Sequence, residues 1–199
     1  MDTSGIRFET VFGSEVRPYV PDLASLRIEV FREYPYLYEG SLDYESDYLL
    51  SYAKSARSVF ALAFDGEAVV GVSTGLPLAE ADGDFAEPFL KNGYEMERIF
   101  YFGESVLRRG YRGRGIGSRF MRERERHARS LGDFDSCAFC AVQRAADDPR
   151  RPAGYQDLSG FWRKYGFEEQ PALETSFSWK EIGESEESPK AMRFWLKRL

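Results

Sequence analysis

The feature that most constrains this chain is a glycine-rich turn between a strand-like and a helix-like segment. The apolar run IFYFGESVL precedes the turn RGRGIG at Arg112 to Gly117, and an amphipathic stretch continues to Leu131. Helix N-termini present unpaired backbone N–H groups, and glycines let a phosphate approach them closely. This order predicts a pyrophosphate site. A plain strand-to-helix turn is the alternative, although three glycines would cost stability there.

Other phosphate-binding turns match this segment poorly. Gly113, Gly115 and Gly117 make GxGxG, whereas dinucleotide folds use GxGxxG, and no GK[ST] is present for a P-loop. A nucleotide-dependent enzyme is therefore disfavoured. It would require ATP or NAD to stabilise the protein more than the ligand inferred below.

The N-terminal half of the sequence predicts a strand, two helices and a hairpin. Residues 6–12 alternate apolar and polar side chains, and helical spacing follows from Pro21 until Pro35. A second helix is predicted in LDYESDYLLSYAKS. Asp65 and Gly66 suit the tight turn of a hairpin. The stretch from Glu80 to Glu97 has no clear periodicity, so we expect at most one helical turn there.

The C-terminal half continues with alternating strands and helices. After the helix that ends near Gly132, SCAFCAV predicts a strand and SGFWRKYGF predicts a short helix that ends at Gly166. TSFSWKEI and AMRFWLK then predict a closing hairpin. No interdomain linker interrupts this order, so we expect one domain over residues 1–199.

Composition limits the classes of function that this chain can have. A net charge of −6 disfavours nucleic-acid binding, because phosphate contacts require a basic surface. No apolar run approaches the ~20 residues of a membrane span. The start MDTSGIRFET lacks the basic and apolar regions of a signal peptide. These observations predict a cytoplasmic protein that contacts neither nucleic acid nor membrane.

Cysteine and histidine do not indicate a metal centre. Cys137 and Cys140 form the pattern CxxC, but in a strand such positions point to opposite faces, so we expect core packing and no metal. The alternative is that Cys140 lies near a ligand. His127, the sole histidine, belongs to a highly charged helix and is expected at its surface or edge.

The glycine turn resembles the signature Q/R-x-x-G-x-G/A of the GNAT acetyltransferases at Arg112, Gly115 and Gly117. Downstream, GFWRKYGFEE resembles the later family motif, in which an aromatic helix ends in Gly-Phe. The resemblance covers nearly the whole chain. It implies an α/β (α+β) fold whose central twisted β-sheet is mixed, mostly antiparallel and flanked by α-helices.

For the cofactor, the resemblance implies acetyl-CoA as acetyl donor and no metal. Backbone groups of Val106 and Leu107 would bind the pantetheine arm. The pyrophosphate would be held by Arg112, Gly113, Arg114, Gly115, Ile116, Gly117 and Ser118. The family commonly transfers acetyl by direct attack of an amine, without an acetyl-enzyme, so the resemblance implies an N-acetyltransferase acting on a primary amine.

Two residues are the catalytic candidates that the resemblance suggests. Glu104 corresponds to a glutamate that serves as base in several members, although it could instead bind the acceptor's charge or make a structural hydrogen bond. The sequence departs from the family at Trp162, which replaces the usual acid tyrosine. Tyr155 is the substitute candidate, Tyr165 is expected in the core, and water is the remaining source of the proton.

The acceptor remains open at the level of sequence. The segment REYPYLYEGSLDYESDY, which would line the acceptor site, combines tyrosines with Glu33, Glu39, Asp43, Glu45 and Asp47. This composition suits a cationic small molecule or peptide amine, and equally a packed tyrosine face with solvated acids. A homodimer through the closing hairpin is compatible with the family. A non-catalytic acetyl-CoA sensor of the same fold is the alternative function.

Overall fold

The computed structural model describes residues 5–199. The first four residues of MDTSGIRFET, on which the signal-peptide expectation partly rests, lie outside the described residues. No helix within the described range is both long and apolar enough to cross a membrane. The single domain over residues 1–199 stays a prediction.

Residues 5–199 form seven strands and five α-helices. The strands are β1 Ile6–Phe12, β2 Val59–Asp65, β3 Ala68–Pro77, β4 Ile99–Leu107, β5 Ser136–Val142, β6 Glu168–Trp179 and β7 Ser188–Arg198. The helices are α1 Val20–Phe31, α2 Leu42–Tyr52, α3 Gly83–Lys91, α4 Ile116–Leu131 and α5 Ser159–Lys164.

The strands form one sheet in the order β1-β2-β3-β4-β5-β7-β6. Only the β4 and β5 pair is parallel, and the other neighbouring strands are antiparallel. Helices flank the sheet. The predicted mixed, mostly antiparallel sheet is therefore confirmed.

Alternation along the central strands separates two cores. On one face, Tyr101 of β4 and Ala138 of β5 join a core built with α1 and α2. On the other face, Phe100 and Cys137 join Met121 of α4 in a second core. Because successive strand residues point to opposite faces, the sheet separates what we call the α1/α2 face from the α4 face.

A β-bulge interrupts β4 at its centre. Phe102 pairs with Gly75 and Ser105 with Ser73, so Gly103 and Glu104 together oppose Thr74. A Cβ atom at Gly103 would lie 2.4 Å from Thr74 Oγ1, which explains the glycine. The extra residue shifts the alternation, and the Glu104 side chain therefore points to the α1/α2 face.

β4 and β5 separate soon after they meet. Their pairing covers only Ile99–Tyr101 against Ser136–Ala138. Beyond Tyr101, β4 remains bonded to β3 while β5 remains bonded to β7. A cleft therefore opens between the two parallel strands, next to the bulge.

Two sequence predictions needed correction. The stretch after Glu80 contains the nine-residue helix α3, whose interior Pro88 and short length obscured its periodicity. The strand β6 begins at Glu168, well before TSFSWKEI, because an irregularity between Gln170 and Glu174 breaks the alternation. The hairpin at Asp65 and Gly66 and the helix ending before Gly132 are confirmed.

Candidate active site

A cavity of about 1880 Å³ occupies the cleft between β4 and β5. Residues from both faces of the sheet line it. They include Tyr48 and Glu104 from the α1/α2 face, and Met121 and Arg124 from the α4 face. The cavity also reaches Gly115 in the glycine turn, so one continuous space joins the turn to the tyrosine-rich helices.

The glycine turn has the backbone that phosphate binding requires. Gly113 and Gly115 have φ values of 77° and 92°, a left-handed conformation that favours glycine. Gly115 is the N-cap of α4, and within residues 5–199 no side chain caps this helix end. The N–H groups of the first helical turn are thus left for an anion.

Arg112 connects the turn to neighbouring elements. Its Nε donates to the Leu107 carbonyl at 3.0 Å, and its Nη1 donates to Glu33 at 2.8 Å. The side chain is 42% exposed. Arg112 can therefore exchange the exposed Glu33 carboxylate for a phosphate without breaking a buried contact.

The predicted cofactor residues divide into two groups. Those lining the cavity are Leu107, Arg112, Gly113, Gly115, Gly117 and Ser118. Val106 and Ile116 have fully buried side chains, so only their backbones could contact a ligand. Arg114 is exposed, with its guanidinium 5.2 Å from the Tyr111 ring centroid. Cofactor contacts for all of these residues stay predictions.

Glu104 lies in a buried charged cluster on the α1/α2 face. Its Oε1 is 2.7 Å from Nη1 of Arg27, and Arg27 Nε donates to Glu45. The first approach is close but not aligned as a hydrogen bond. Burial alone would lower the pKa of Arg27, but Glu104 and Glu45 outweigh it and raise that pKa.

Tyrosine hydroxyls extend this cluster. The Tyr48 hydroxyl lies 2.8 Å from that of Tyr52 and 3.4 Å from Glu104 Oε2. Burial raises the pKa of Tyr48 well above its usual range, so the phenol stays protonated. The second oxygen of Glu104 therefore faces hydroxyl groups, whereas the first faces Arg27.

A second arginine lies behind the bulge, on the α4 face. Arg124 is 4% exposed, and its Nη1 makes long hydrogen bonds to the carbonyls of Thr74 (3.4 Å) and Glu104 (3.5 Å). Its Nε has no hydrogen-bond partner among the described residues. Within residues 5–199, no carboxylate forms an ion pair with it. Burial accordingly lowers the pKa of Arg124 to about 9.

Tyr155 and Trp162 lie along the α5 side of the cavity. Tyr155 packs edge-on against Tyr34 at 4.7 Å, and burial raises its pKa, which keeps its hydroxyl protonated. Trp162 packs against Phe139 and Trp195. Tyr155 thus has a proton to donate, while Trp162 acts as an apolar wall.

The tyrosine-rich segment does line the cavity, but its charges are arranged differently from the expectation. Of its five acids, Asp43 and Asp47 lie away from the cavity. The three that line it are each paired with a base, as Glu33–Arg112, Glu39–Lys180 and Glu45–Arg27. Unpaired negative charge is instead found, among described lining residues, at Asp82, Asp84, Asp157 and Glu187.

The two cysteines point to opposite faces, as predicted. Cys137 is buried in the core of the α4 face. Cys140 lines the cavity, and its Sγ is 3.2 Å from the Tyr101 hydroxyl. Burial raises the pKa of both thiols to about 12. In the part of the chain that is described, no cluster of three potential metal ligands is found.

His127 is half-buried at the edge of α4, and its Nε2 is 2.8 Å from the Arg57 carbonyl. This ring stacks against Phe12. The expected edge position is confirmed.

Sequence reasoning missed the two buried arginines. Arg27 falls in the apolar stripe Leu23, Leu26, Val30 of its helix, and Arg124 falls between Met121 and Ala128. A charged residue at a core-facing helical position was the available signal, because such charges require a partner or a ligand.

Comparison with known proteins identifies the family. Residues 23–167 match the model of the acetyltransferase (GNAT) family. The chain belongs to this family of acetyltransferases, as the signature at Arg112 to Gly117 indicated. Members use acetyl-CoA, and the open helix N-terminus at Gly115 fits its pyrophosphate.

Solved structures share the fold at low sequence identity. An acetyltransferase from Streptococcus agalactiae is 13% identical, with a TM-score of 0.62, over 98% of this chain and 99% of that one. Ribosomal-protein-alanine N-acetyltransferase from Brucella melitensis is 15% identical, with a TM-score of 0.62, over 96% and 99%. An acetyltransferase from Thermus thermophilus is 16% identical, with a TM-score of 0.57, over the full length of both chains. No curated protein matches the chain significantly.

Proposed function

We propose that this protein is an N-acetyltransferase that transfers acetyl from acetyl-CoA to a primary amine within a ternary complex. The observation that carries the proposal is the continuous cavity between β4 and β5. It joins the glycine turn to the tyrosine-lined region, so donor and acceptor can meet beside the bulge at Gly103 and Glu104. Because donor and acceptor would bind in one cavity, direct attack of the amine on the thioester is favoured.

The reaction balances with residues of this chain. The amine nitrogen attacks the thioester carbon, the C–S bond breaks, and its electron pair stays on sulfur. An alkylamine is mostly protonated at neutral pH, so a proton must first leave. We assign that proton to Glu104 Oε2, directly or through water, because Oε1 already faces Arg27. After attack the nitrogen loses a second proton to water, and Tyr155 or water supplies a proton to the thiolate, so the net reaction releases one proton.

The acceptor that suits this cavity carries positive charge beyond the reacting amine. Aromatic side chains line the space, including Tyr34, Tyr36 and Trp179. Asp82, Asp84 and Glu187 add negative charge that no described base neutralises. Aromatic faces and carboxylates both attract ammonium groups.

The deciding experiment measures thiol release from acetyl-CoA across a panel of mono- and polyamines and peptides with free N-termini. Acceptor-dependent release is expected, strongest with polycationic amines. Binding of acetyl-CoA without turnover by any acceptor would favour the non-catalytic sensor instead. If only neutral or anionic acceptors were acetylated, the protein would still be an acetyltransferase, but a cationic acceptor would be refuted.

A further inference from the structure

Arg124 is a buried charge that forms no ion pair with any described residue. It is 4% exposed, in the core-facing stripe of α4. Within residues 5–199 its contacts are two carbonyl groups, the Met121 sulfur at 3.1 Å, and the Phe102 ring, whose centroid is 4.2 Å away. Dipoles and an aromatic face compensate a guanidinium only in part. The residue therefore costs folding free energy that an apolar side chain would not cost.

The titratable groups near this charge, within the described chain, form no ion pair with it. Those that act on Arg124 are the Cys137 thiol, the Tyr101 hydroxyl and the Glu104 carboxylate. Burial raises the pKa of Cys137 and Tyr101, so both are neutral at physiological pH. The Glu104 carboxylate points to the other face, where Arg27 lies against it. The Arg124 guanidinium therefore supplies positive charge on the α4 face of the bulge, while Arg27 and its two carboxylates leave one excess negative charge on the other face.

The position of this charge matches where negative charge forms in the proposed reaction. Arg124 lines the cavity and hydrogen-bonds to the bulge carbonyls, at the point where β4 leaves β5. Attack on a thioester puts negative charge on the carbonyl oxygen and then on the departing sulfur. Fixed positive charge in a water-poor site stabilises both, without reorganisation.

We propose that Arg124 stabilises the anionic transition state and the departing thiolate of coenzyme A. This inference rests on the proposed function. It also accounts for Trp162 at the position of the usual acid, because a thiolate stabilised by a nearby cation leaves without prior protonation. Residues that reduce stability are expected where function requires them.

The test measures ionisation of the coenzyme A thiol bound to the protein, by ultraviolet absorbance of the thiolate as pH is raised. In the wild-type protein we expect the bound thiol to have a pKa lower than that of free coenzyme A by about one unit or more. Arg124→Met should remove this shift, and Arg124→Lys should keep part of it. The matched control is Arg126→Met, on the same helix but 72% exposed, which should leave the shift unchanged.

Two further measurements distinguish an electrostatic role of Arg124 from a structural one. Arg124→Met should leave the affinity for acetyl-CoA within a few fold and the melting temperature unchanged or higher. Its kcat should fall by about 10²- to 10³-fold, as when an oxyanion donor is removed. A lower melting temperature with an unaltered thiol pKa would instead assign Arg124 to support of the bulge and overturn the proposal.

If coenzyme A does not bind to the wild-type protein, the proposed function and this inference fall together. If coenzyme A binds and amines are acetylated, but the thiol pKa is the same in wild type and Arg124→Met, only the role of Arg124 is refuted.

Discussion

On one face of β4, Arg27 lies between two carboxylates, whereas on the other face Arg124 lies among carbonyl groups and an aromatic ring. Both arginines are nearly completely buried. Burial favours the neutral form of either arginine. The carboxylates reverse this effect at Arg27, whereas at Arg124 the opposing effects of Cys137, Glu104 and Tyr101 do not outweigh it. The same residue type is therefore ion-paired with two carboxylates on one side of the strand, and on the other side it forms no ion pair with any described residue.

The two halves of the site therefore have different electrostatic roles. On the α1/α2 face one arginine meets two carboxylates, so this cluster keeps one excess negative charge and can serve as a fixed wall for a variable acceptor. The α4 face keeps an excess of positive potential from Arg124 and from the helix N-terminus at Gly115. An anionic donor is expected on the second face and a cationic acceptor near the first.

The largest expected effect comes from placing a negative charge on the donor side. Gly115→Glu adds bulk and charge at a left-handed N-cap, where the phosphate would lie, so calorimetry should detect no acetyl-CoA binding. Gly93→Glu is the matched control, because Gly93 has a φ of 76° in an exposed turn away from the cavity. If Gly115→Glu bound acetyl-CoA with unchanged affinity, the glycine turn would not be the acetyl-CoA site.

The next effect tests whether Glu104 does more than balance Arg27. Glu104→Gln should lower kcat by about 10²- to 10⁴-fold, with acetyl-CoA affinity nearly unchanged and partial recovery at higher pH. Glu45→Gln removes the other carboxylate of Arg27 and should have a much smaller effect on kcat. If both variants lose activity equally, Glu104 acts through Arg27. A raised acceptor KM with kcat preserved would assign it to acceptor binding.

Replacing each buried arginine by methionine tests the difference between the two faces directly. Arg27→Met leaves Glu45 and Glu104 buried without a cation, and should lower the free energy of unfolding by about 3–5 kcal/mol. Arg124→Met removes a charge that has no carboxylate and should leave this free energy unchanged or raised. Urea denaturation of the two variants measures both. An equal loss of the free energy of unfolding in both variants would show that the two arginines contribute alike to stability.

A smaller effect is expected at the rim of the acceptor side. Glu187 is exposed and lines the cavity, so Glu187→Gln should raise the KM of a polycationic amine about two- to fivefold, as exposed pairs contribute up to about 1 kcal/mol. The neighbouring Glu186→Gln should not change KM. An effect on kcat in place of KM would argue that Glu187 contacts the reacting group.

The smallest effect concerns His127, another base on α4 without an acid partner in the described chain. Burial lowers the pKa of His127 from 6.5, so the unfolded chain takes up a proton before the folded protein does. Its contribution to stability is present above pH 6.5 and is lost as pH falls. His127→Phe should flatten this part of the stability–pH curve. An unaltered curve would show that the ring is not desolvated.

Several features could be predicted from the sequence because their causes are local. The pattern RGRGIG, followed by helical periodicity to Leu131, determines a left-handed turn and a helix start through the conformational freedom of glycine. Period-two and helical patterns likewise located most strands and helices. The helix α3 and the start of β6 were missed, because Pro88 and a strand irregularity interrupt the periods on which such reasoning depends.

By itself, then, the sequence determined the family signature, the order of elements and the donor turn, all of which follow from neighbouring residues. Only the tertiary structure decided which charges meet. Arg27 and Glu104 are 77 positions apart in the printed sequence, and the bulge opposite Thr74 turns the Glu104 side chain toward Arg27. No local pattern encodes that pairing, or the lack of one at Arg124, because burial and counterions are properties of packed surfaces from distant segments.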